Sequence, residues 1–479
     1  MRGTLLASCG SGRAVWRRPV FACPAACRLR ETGAPVTRKE TEATLRPPLM
    51  AALRGEAALA VLGVAGGAVT ALAGSLVVAR YLEPAERGHY ASIVVFATLA
   101  LTCLEMGGEV GVVRGLADVR RAGRSFPAGY LAWTVLASTS VAVAGSAAGA
   151  WAPPWMRPVW LLPPCATAAV YGGLVFRLTT GTLVSSGRLG RLIAARTLGN
   201  CGPVLGCLLC VHFGLTSALE VATLSFVAQA VMNSVLLLRL GRAGEPLLRT
   251  VPRPGSGGWH RNIALVWCRG NVHLHVLNGS TYVLQRSDQM ALSLLGADRT
   301  LGLYAIAINV SEIVGYVPAA LFPLVSRGRP GNPVELRRIL LLLALCVGTC
   351  TPLAYVALPL VYGEVYRAAQ PAVLLLVPAT GVLAVGRLFQ GVELRDTRRR
   401  GNLAVIAVTA AAGEFTAVYL FGGGKPVAAA FACASGYAVF TVWIMLSRST
   451  GSLGPRPLLD TVPAPGNAPE RRTADGLRD

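Results

Sequence analysis

The chain has 479 residues, of which 53% are hydrophobic and only 14% are charged, where soluble globular proteins carry about 25% charged residues. This composition excludes a string of soluble domains, because each of them would need a polar surface that the sequence lacks. The net charge of +22 does not indicate a nucleic-acid partner, since the basic residues lie in short loops and in an N-terminal tail without a nucleic-acid-binding motif.

The chain begins and ends with polar tails that flank the apolar region. Residues 1–50 show no hydrophobic periodicity and predict a disordered, basic cytoplasmic tail. Met50 is an alternative translation start, because the apolar pattern begins directly after it. Residues 448–479 are rich in Pro, Gly and charge and predict a second disordered tail.

Twelve apolar segments lie between the tails, and most have the roughly 20 residues that a helix needs to cross a bilayer. They predict an all-α polytopic membrane protein with two six-helix halves, 51–240 and 263–447, joined by a cytoplasmic linker at 241–262. The segments are 57–79, 91–113, 128–150, 159–180, 192–211, 218–238, 263–285, 301–326, 339–360, 371–392, 402–421 and 427–446.

Loop charge supports this count. One set of alternate loops holds 20 Lys and Arg residues, and these loops are 114–127, 181–196, 239–262, 327–338 and 393–401. The other set, on the predicted outer side, holds 7, and its loops are 80–90, 151–158, 212–217, 286–300, 361–370 and 422–426. Positive loops stay in the cytoplasm, and one helix more or fewer would scramble the alternation. The pattern therefore predicts a multi-pass protein of the cytoplasmic (inner) membrane with both termini in the cytoplasm.

A short repeat relates the two halves. Gly88-x-Tyr90-Ala91 recurs as Gly302-x-Tyr304-Ala305, and each copy precedes or opens an even-numbered span on the predicted outer side. Parallel repeats of this kind place a substrate path at the interface between the halves.

The order of motifs along residues 55–447 resembles the polysaccharide-biosynthesis flippases, which belong to the superfamily of multidrug, oligosaccharidyl-lipid and polysaccharide exporters. Motifs from both halves carry the resemblance: Ala79-Arg80-Tyr81-Leu82, Pro84, Gly88, Tyr90, Gly107, Arg114, Leu116, Arg286-x-Asp288, Leu295-Gly296, Gly302, Tyr304, Ala305, Pro318, Phe322-Pro323 and Gly363-Glu364-x-Tyr366.

The resemblance implies a transporter that flips a polyprenyl-diphosphate-linked oligosaccharide by alternating access, without a cofactor. It also implies a lipid-linked glycan, membrane lipids, a polysaccharide polymerase and glycosyltransferases as partners.

An anionic head group needs a polar route through the bilayer, and arginine can hold phosphate through bidentate hydrogen bonds. The candidate substrate residues are Arg114, Arg177, Arg269, Asn278, Arg286 and Asn309. A simpler interpretation of the first three arginines is snorkelling at helix ends.

Acidic residues within spans need a partner, water or a proton, because an unpaired carboxylate at mid-membrane is costly. Glu105, Glu109, Asp288 and Glu312 are candidates for ion coupling or for ion pairs. We expect Arg114 or Arg269 as the partner of the acids in the second span. Arg286 has two open interpretations, an ion pair with Asp288 at the outer end of the seventh span or a contact with the substrate.

The sequence contains no catalytic motif, and the cysteines lack metal-ligand spacing. We therefore expect neither an enzyme nor a metal site. Two alternatives stay open: a multidrug or cation antiporter of the same superfamily, and an integral-membrane polysaccharide polymerase or ligase. The second normally carries a large outer loop, and the longest outer loop predicted here, 286–300, is small.

Overall fold

The computed structural model describes residues 66–105, 126–148, 161–185, 189–242, 272–327, 333–393, 400–422 and 424–449. These residues are helical, with connecting turns and no strand among them. All of them belong to one compact unit, Gly55–Asp479. The predicted tail 1–50 and almost all of the predicted linker and of the predicted C-terminal tail lie outside the described residues.

The described part of the N-terminal half contains seven helices: α1 (66–81), α2 (Pro84–Leu104), α3 (Phe126–Ala148), α4 (Leu162–Ser185), α5 (Leu189–Gly199), α6 (Gly202–Phe213) and α7 (Ala218–Arg242). The predicted fifth span, 192–211, is the pair α5 and α6. Pro203 explains the break, because proline favours the first turn of a helix and cannot donate the hydrogen bond that would continue α5.

The C-terminal half has α8 (Val272–Leu294), α9 (Asp298–Arg327), α10 (Pro333–Tyr362), a 3-10 turn (Glu364–Ala369), α11 (Gln370–Glu393), α12 (Arg400–Phe421) and α13 (Pro426–Ser449). Each of the twelve predicted segments overlaps one helix or, for the fifth, a helix pair. Eight stretches in the described ranges are long and apolar enough to cross a membrane. Helices α1, α4, α8 and α9 are outside that set, and the last two carry charged residues at the interface of the halves.

Two predicted boundaries are wrong in a way that matters for function. Helix α2 begins at Pro84 rather than at residue 91, because proline is well suited to the first helical position. Helix α8 continues to Leu294 rather than ending at 285, because Arg286 and Asp288 find partners inside the bundle. Arg87, Arg286 and Asp288 therefore lie on helices and not in outer loops.

The two halves meet through α2, which packs against both α8 and α9. Within the N-terminal half, α4 packs on α3 and α7, and α6 packs on α7. Within the C-terminal half, α8 packs on α12, and α11 packs on α9 and α13. Ala79 and Ala91 of the N-terminal half belong to the main apolar core of the C-terminal half, so the interface is continuous with that core.

The repeated glycines form a reciprocal helix crossing. A Cβ atom on Gly88 would overlap the carbonyl oxygen of Asp298, and one on Gly302 would overlap the carbonyl oxygen of Pro84. The side chains of Ser92 and Ser293 are hydrogen-bonded beside this crossing at 2.8 Å. The close approach of α2 and α9 therefore requires glycine at both positions, which explains the repeat seen in the sequence.

Further bonds join the halves at the end of the bundle where α1 meets α2, which is the predicted outer end. The Arg80 guanidinium donates to the carbonyl of Val361 at 2.6 and 3.0 Å and to that of Leu360 at 3.4 Å. The Tyr366 hydroxyl donates to the carbonyl of Ala79 at 3.1 Å. The halves are thus held closely together at this end.

Candidate functional site

A cavity of about 220 Å³ lies between the halves, lined by α1, α2, α8 and α9 together with residues near the α5–α6 break and on α7. It has an apolar frame with polar groups set into it. The polar side chains of the lining are Ser75, Arg87, Tyr90, Thr98, Asn200, Gln229, Tyr282, Arg286, Gln289 and Asn309.

Arg87 is a buried cation in this lining, and its side chain belongs to the first turns of α2. The residue is 4% exposed, and its Nε atom has no hydrogen-bond partner among the described residues. The guanidinium carbon lies 5.0 Å from the ring centre of Tyr90, an attraction that offsets only part of a lost hydration shell. No carboxylate in the described part of the chain forms an ion pair with it.

Arg286, a residue of α8, also lines the cavity and forms an ion pair. Its Nη2 atom lies 2.7 Å from the Oε1 atom of Glu312 on α9. Arg387 lies on α11, which packs against α9. The C-terminal side of the cavity therefore has one ion-paired arginine on α8 and a second arginine on a helix packed against that of Glu312. Arg286 thus pairs with Glu312, whereas Asp288 bonds to Tyr304 and to the Gln289 backbone.

Amide groups complete the cavity. The Nδ2 atom of Asn309 donates to the Ser75 hydroxyl at 2.8 Å and joins α9 to α1 across the interface. The Nδ2 atom of Asn200 donates to the carbonyl of Gly67 at 3.4 Å. Gln229 and Gln289 add further amides to the wall. Amides both donate and accept hydrogen bonds, so this lining is suited to hydroxyl-rich or anionic groups.

A second cluster of polar groups is buried within the C-terminal half. Asp288 and Glu414 are 0% and 2% exposed. A carboxylate oxygen of each acid and the Sγ atom of Cys433 all lie within 4.8 Å of one another. Asp288 accepts hydrogen bonds from the Tyr304 hydroxyl and from the Gln289 backbone, the latter at 2.6 Å.

Neither carboxylate oxygen of Glu414 has a well-formed hydrogen bond within the described ranges. Two buried carboxylates at this separation need a proton or a cation to offset their repulsion. The cluster can therefore hold a proton or a cation.

The remaining predicted residues that the structure describes are not part of the cavity lining. Arg177 on α4 lies 3.5 Å, Nε to Oε1, from Glu105 at the end of α2, so the described partner of Glu105 is Arg177. His275 on α8 is close to the same acid. Asn278 is exposed and is not part of the cavity lining. The positions Glu109, Arg114 and Arg269 lie outside the described residues.

Sequence reasoning missed Arg87, Arg387 and the clustering of Asp288 with Glu414 and Cys433, although it indicates that Glu414, an acid within a span, needs a partner. The predicted outer loop 80–90 includes Arg87, although its position directly before the repeated Gly88 is a signal that it lies at the interface. Arg387 and Glu414 are single charges in apolar helices, and nothing in the sequence indicates that one lies beside Glu312 and the other beside Asp288.

Solved transporter structures share this fold. The Lipid II flippase MurJ in an inward closed conformation aligns with TM-score 0.57 and 13% identity over 82% of this chain and 87% of that chain. An inward-facing multidrug resistance MATE transporter of the MOP superfamily aligns with TM-score 0.55, 14% identity and coverages of 82% and 98%. The eukaryotic MATE transporter AtDTX14 gives TM-score 0.52, 14% identity and coverages of 82% and 94%.

The chain therefore has the all-helical fold of these solved transporters and is a multi-pass membrane protein. No family model and no curated protein matches its sequence.

Proposed function

We propose that this protein is a transporter of the cytoplasmic membrane that flips a polyprenyl-diphosphate-linked oligosaccharide for surface polysaccharide biosynthesis. The two halves would alternate access to the cavity between them. The exporter fold supports transport. The partners that we propose are the lipid-linked glycan, the surrounding lipids and the glycosyltransferases and polymerase of the same pathway, with both termini of the chain in the cytoplasm.

The observation that carries the proposal is the buried, carboxylate-free guanidinium of Arg87 in the cavity. Removing a cation from water costs several kcal/mol unless an opposite charge or good hydrogen bonds replace the water. Among the described residues, the Tyr90 ring supplies only part of this compensation, and the Nε atom of Arg87 has no hydrogen-bond partner. A diphosphate would supply it, because its oxygens match the planar donors of arginine.

In this arrangement of the helices, the size of the cavity favours binding of an anionic group over binding of a whole glycan. Its volume of about 220 Å³ is below the roughly 300–1,000 Å³ of pockets that enclose drug-sized ligands. A diphosphate-sized group fits, whereas an oligosaccharide requires the halves to separate. The sugars would then contact the amides of Asn309, Gln229 and Gln289.

We assign ion coupling to the cluster of Asp288, Glu414 and Cys433. Its carboxylates lie on α8 and α12, and α8 also carries Arg286 at the cavity. A proton or cation bound there would offset the repulsion of the acids and change the packing of α8. The same cluster favours the alternative function, a cation-driven multidrug antiporter. An antiporter of cationic drugs would not benefit from Arg87.

Substitution of Arg87 tests the proposal in cells. Arg87→Ala is expected to abolish surface glycan and to accumulate lipid-linked precursor on the cytoplasmic face. Arg87→Lys is expected to restore only part of the transport, since lysine keeps the charge but not the bidentate fork. The matched control is Arg367→Ala, because Arg367 is 66% exposed and pairs with Glu364 on the surface.

All variants are compared at equal amounts of membrane-inserted protein. A normal amount of surface glycan in the Arg87→Ala strain would contradict the proposal that Arg87 binds the diphosphate in the cavity.

A further inference from the structure

The second arginine of the cavity wall already has an anion. Arg286 lines the cavity, and its Nη2 atom lies 2.7 Å from Glu312. The side chains are 22% and 35% exposed, so both reach space that a ligand or water can enter. A phosphate that binds Arg286 therefore competes with Glu312 for one guanidinium.

A second arginine lies on the helix that packs against the helix of Glu312. Arg387 belongs to α11, which packs on α9, and the Thr380 hydroxyl of α11 donates to the Ser311 hydroxyl beside Glu312 at 3.2 Å. Arg387 is half-buried and forms no ion pair with any described residue. Glu312 is thus paired with an arginine of the cavity wall and lies on a helix that contacts the helix of another arginine.

We propose that Glu312 is an exchangeable counter-anion, which neutralises Arg286 in the empty cavity and transfers to Arg387 when a substrate phosphate takes its place. This inference rests on the proposed function. The exchange keeps an opposite charge beside Arg286 and beside Glu312 in both states, which avoids the cost of leaving either of them as an unpaired buried ion. It also returns Glu312 to Arg286 as a competitor that expels the phosphate.

Binding of inorganic pyrophosphate to the purified full-length protein tests the exchange. Glu312→Gln removes the competitor and keeps the side-chain shape, so affinity is expected to rise by about fivefold or more, a usual size for coupling between sites. Arg387→Gln removes the alternative partner and is expected to weaken binding. The double variant should bind as tightly as Glu312→Gln alone, since Arg387 acts only through Glu312. Glu364→Gln, in an exposed surface pair, is the control.

Four results separate the possible failures. Weaker or unchanged pyrophosphate binding in Glu312→Gln would overturn the exchange and leave Glu312 as a fixed support of Arg286. Independent, additive effects of the two substitutions on pyrophosphate affinity would also overturn it. If Glu312→Gln inserts poorly into the membrane, Arg387→Gln alone tests the exchange, and unchanged pyrophosphate binding in that variant would overturn it. Absence of pyrophosphate binding by the wild type, with no change in Arg87→Ala, would reject the proposed function itself and this inference with it.

Discussion

Two buried glutamates show that the residue type alone does not determine what a side chain does in the protein. Glu105 and Glu414 both occur inside apolar helices, and the sequence indicates only that each needs a partner. Glu105 has Arg177 at 3.5 Å, whereas Glu414 lies beside a second acid, Asp288. The difference arises from contacts between helices that are distant in sequence, so hydropathy and spacing could not predict it.

These two environments predict opposite effects of the same substitution. Glu414→Gln removes a charge that faces another carboxylate, so it is expected to raise the thermal unfolding midpoint of the detergent-solubilised protein by about 2 °C. Glu105→Gln breaks an ion pair and is expected to lower the midpoint. Differential scanning fluorimetry measures both variants, and a similar loss of stability in both would contradict a strained acidic cluster.

Glu414→Gln is also expected to abolish the dependence of transport on the ion gradient.

At the scale of helices, the sequence predicted the existence of every described span and missed the ends that build the site. Apolar length identifies a span well, because lipid demands it. Helix ends inside a bundle follow tertiary contacts instead. The pair of Arg286 and Glu312 and the bond of Tyr304 to Asp288 extend α8 beyond its apolar segment, and these contacts are invisible to a hydropathy window.

The crossing of α2 and α9 makes a prediction at this scale. In a protein with Ser92→Cys and Ser293→Cys, oxidation is expected to link α2 to α8 directly beside the crossing, since the serine oxygens lie 2.8 Å apart. Adding Gly88→Val or Gly302→Val should greatly reduce this link, because a side chain there overlaps backbone. Mass spectrometry of the linked peptides measures the yield. Gly413→Ala, where no neighbouring atom lies within 4 Å, should leave it unchanged, and an unaltered yield in the valine variants would contradict the crossing.

For the whole molecule, loop charge and three-dimensional contacts agree on which loops share a side. Arg80, beside the predicted outer loop 80–90, bonds Val361 at the start of the predicted outer loop 361–370. Tags in loop 239–262 and at the C-terminus are expected to report the cytoplasm, and a tag near Glu364 is expected to report the outside. Reporter fusions measure this, and any of the three on the wrong side would contradict the twelve-span topology.

Reconstitution of the purified protein into liposomes tests most directly whether its cavity carries an anionic lipid head group. A fluorescent polyprenyl-diphosphate sugar is placed in the membrane, and its movement between leaflets is followed by a quencher that reaches only one side. We predict rapid flipping with the wild type and with Arg367→Ala, and flipping at the rate of empty liposomes with Arg87→Ala. Equal flipping by wild type and Arg87→Ala, or transport of a cationic drug in place of the lipid by a folded wild type, would contradict the account.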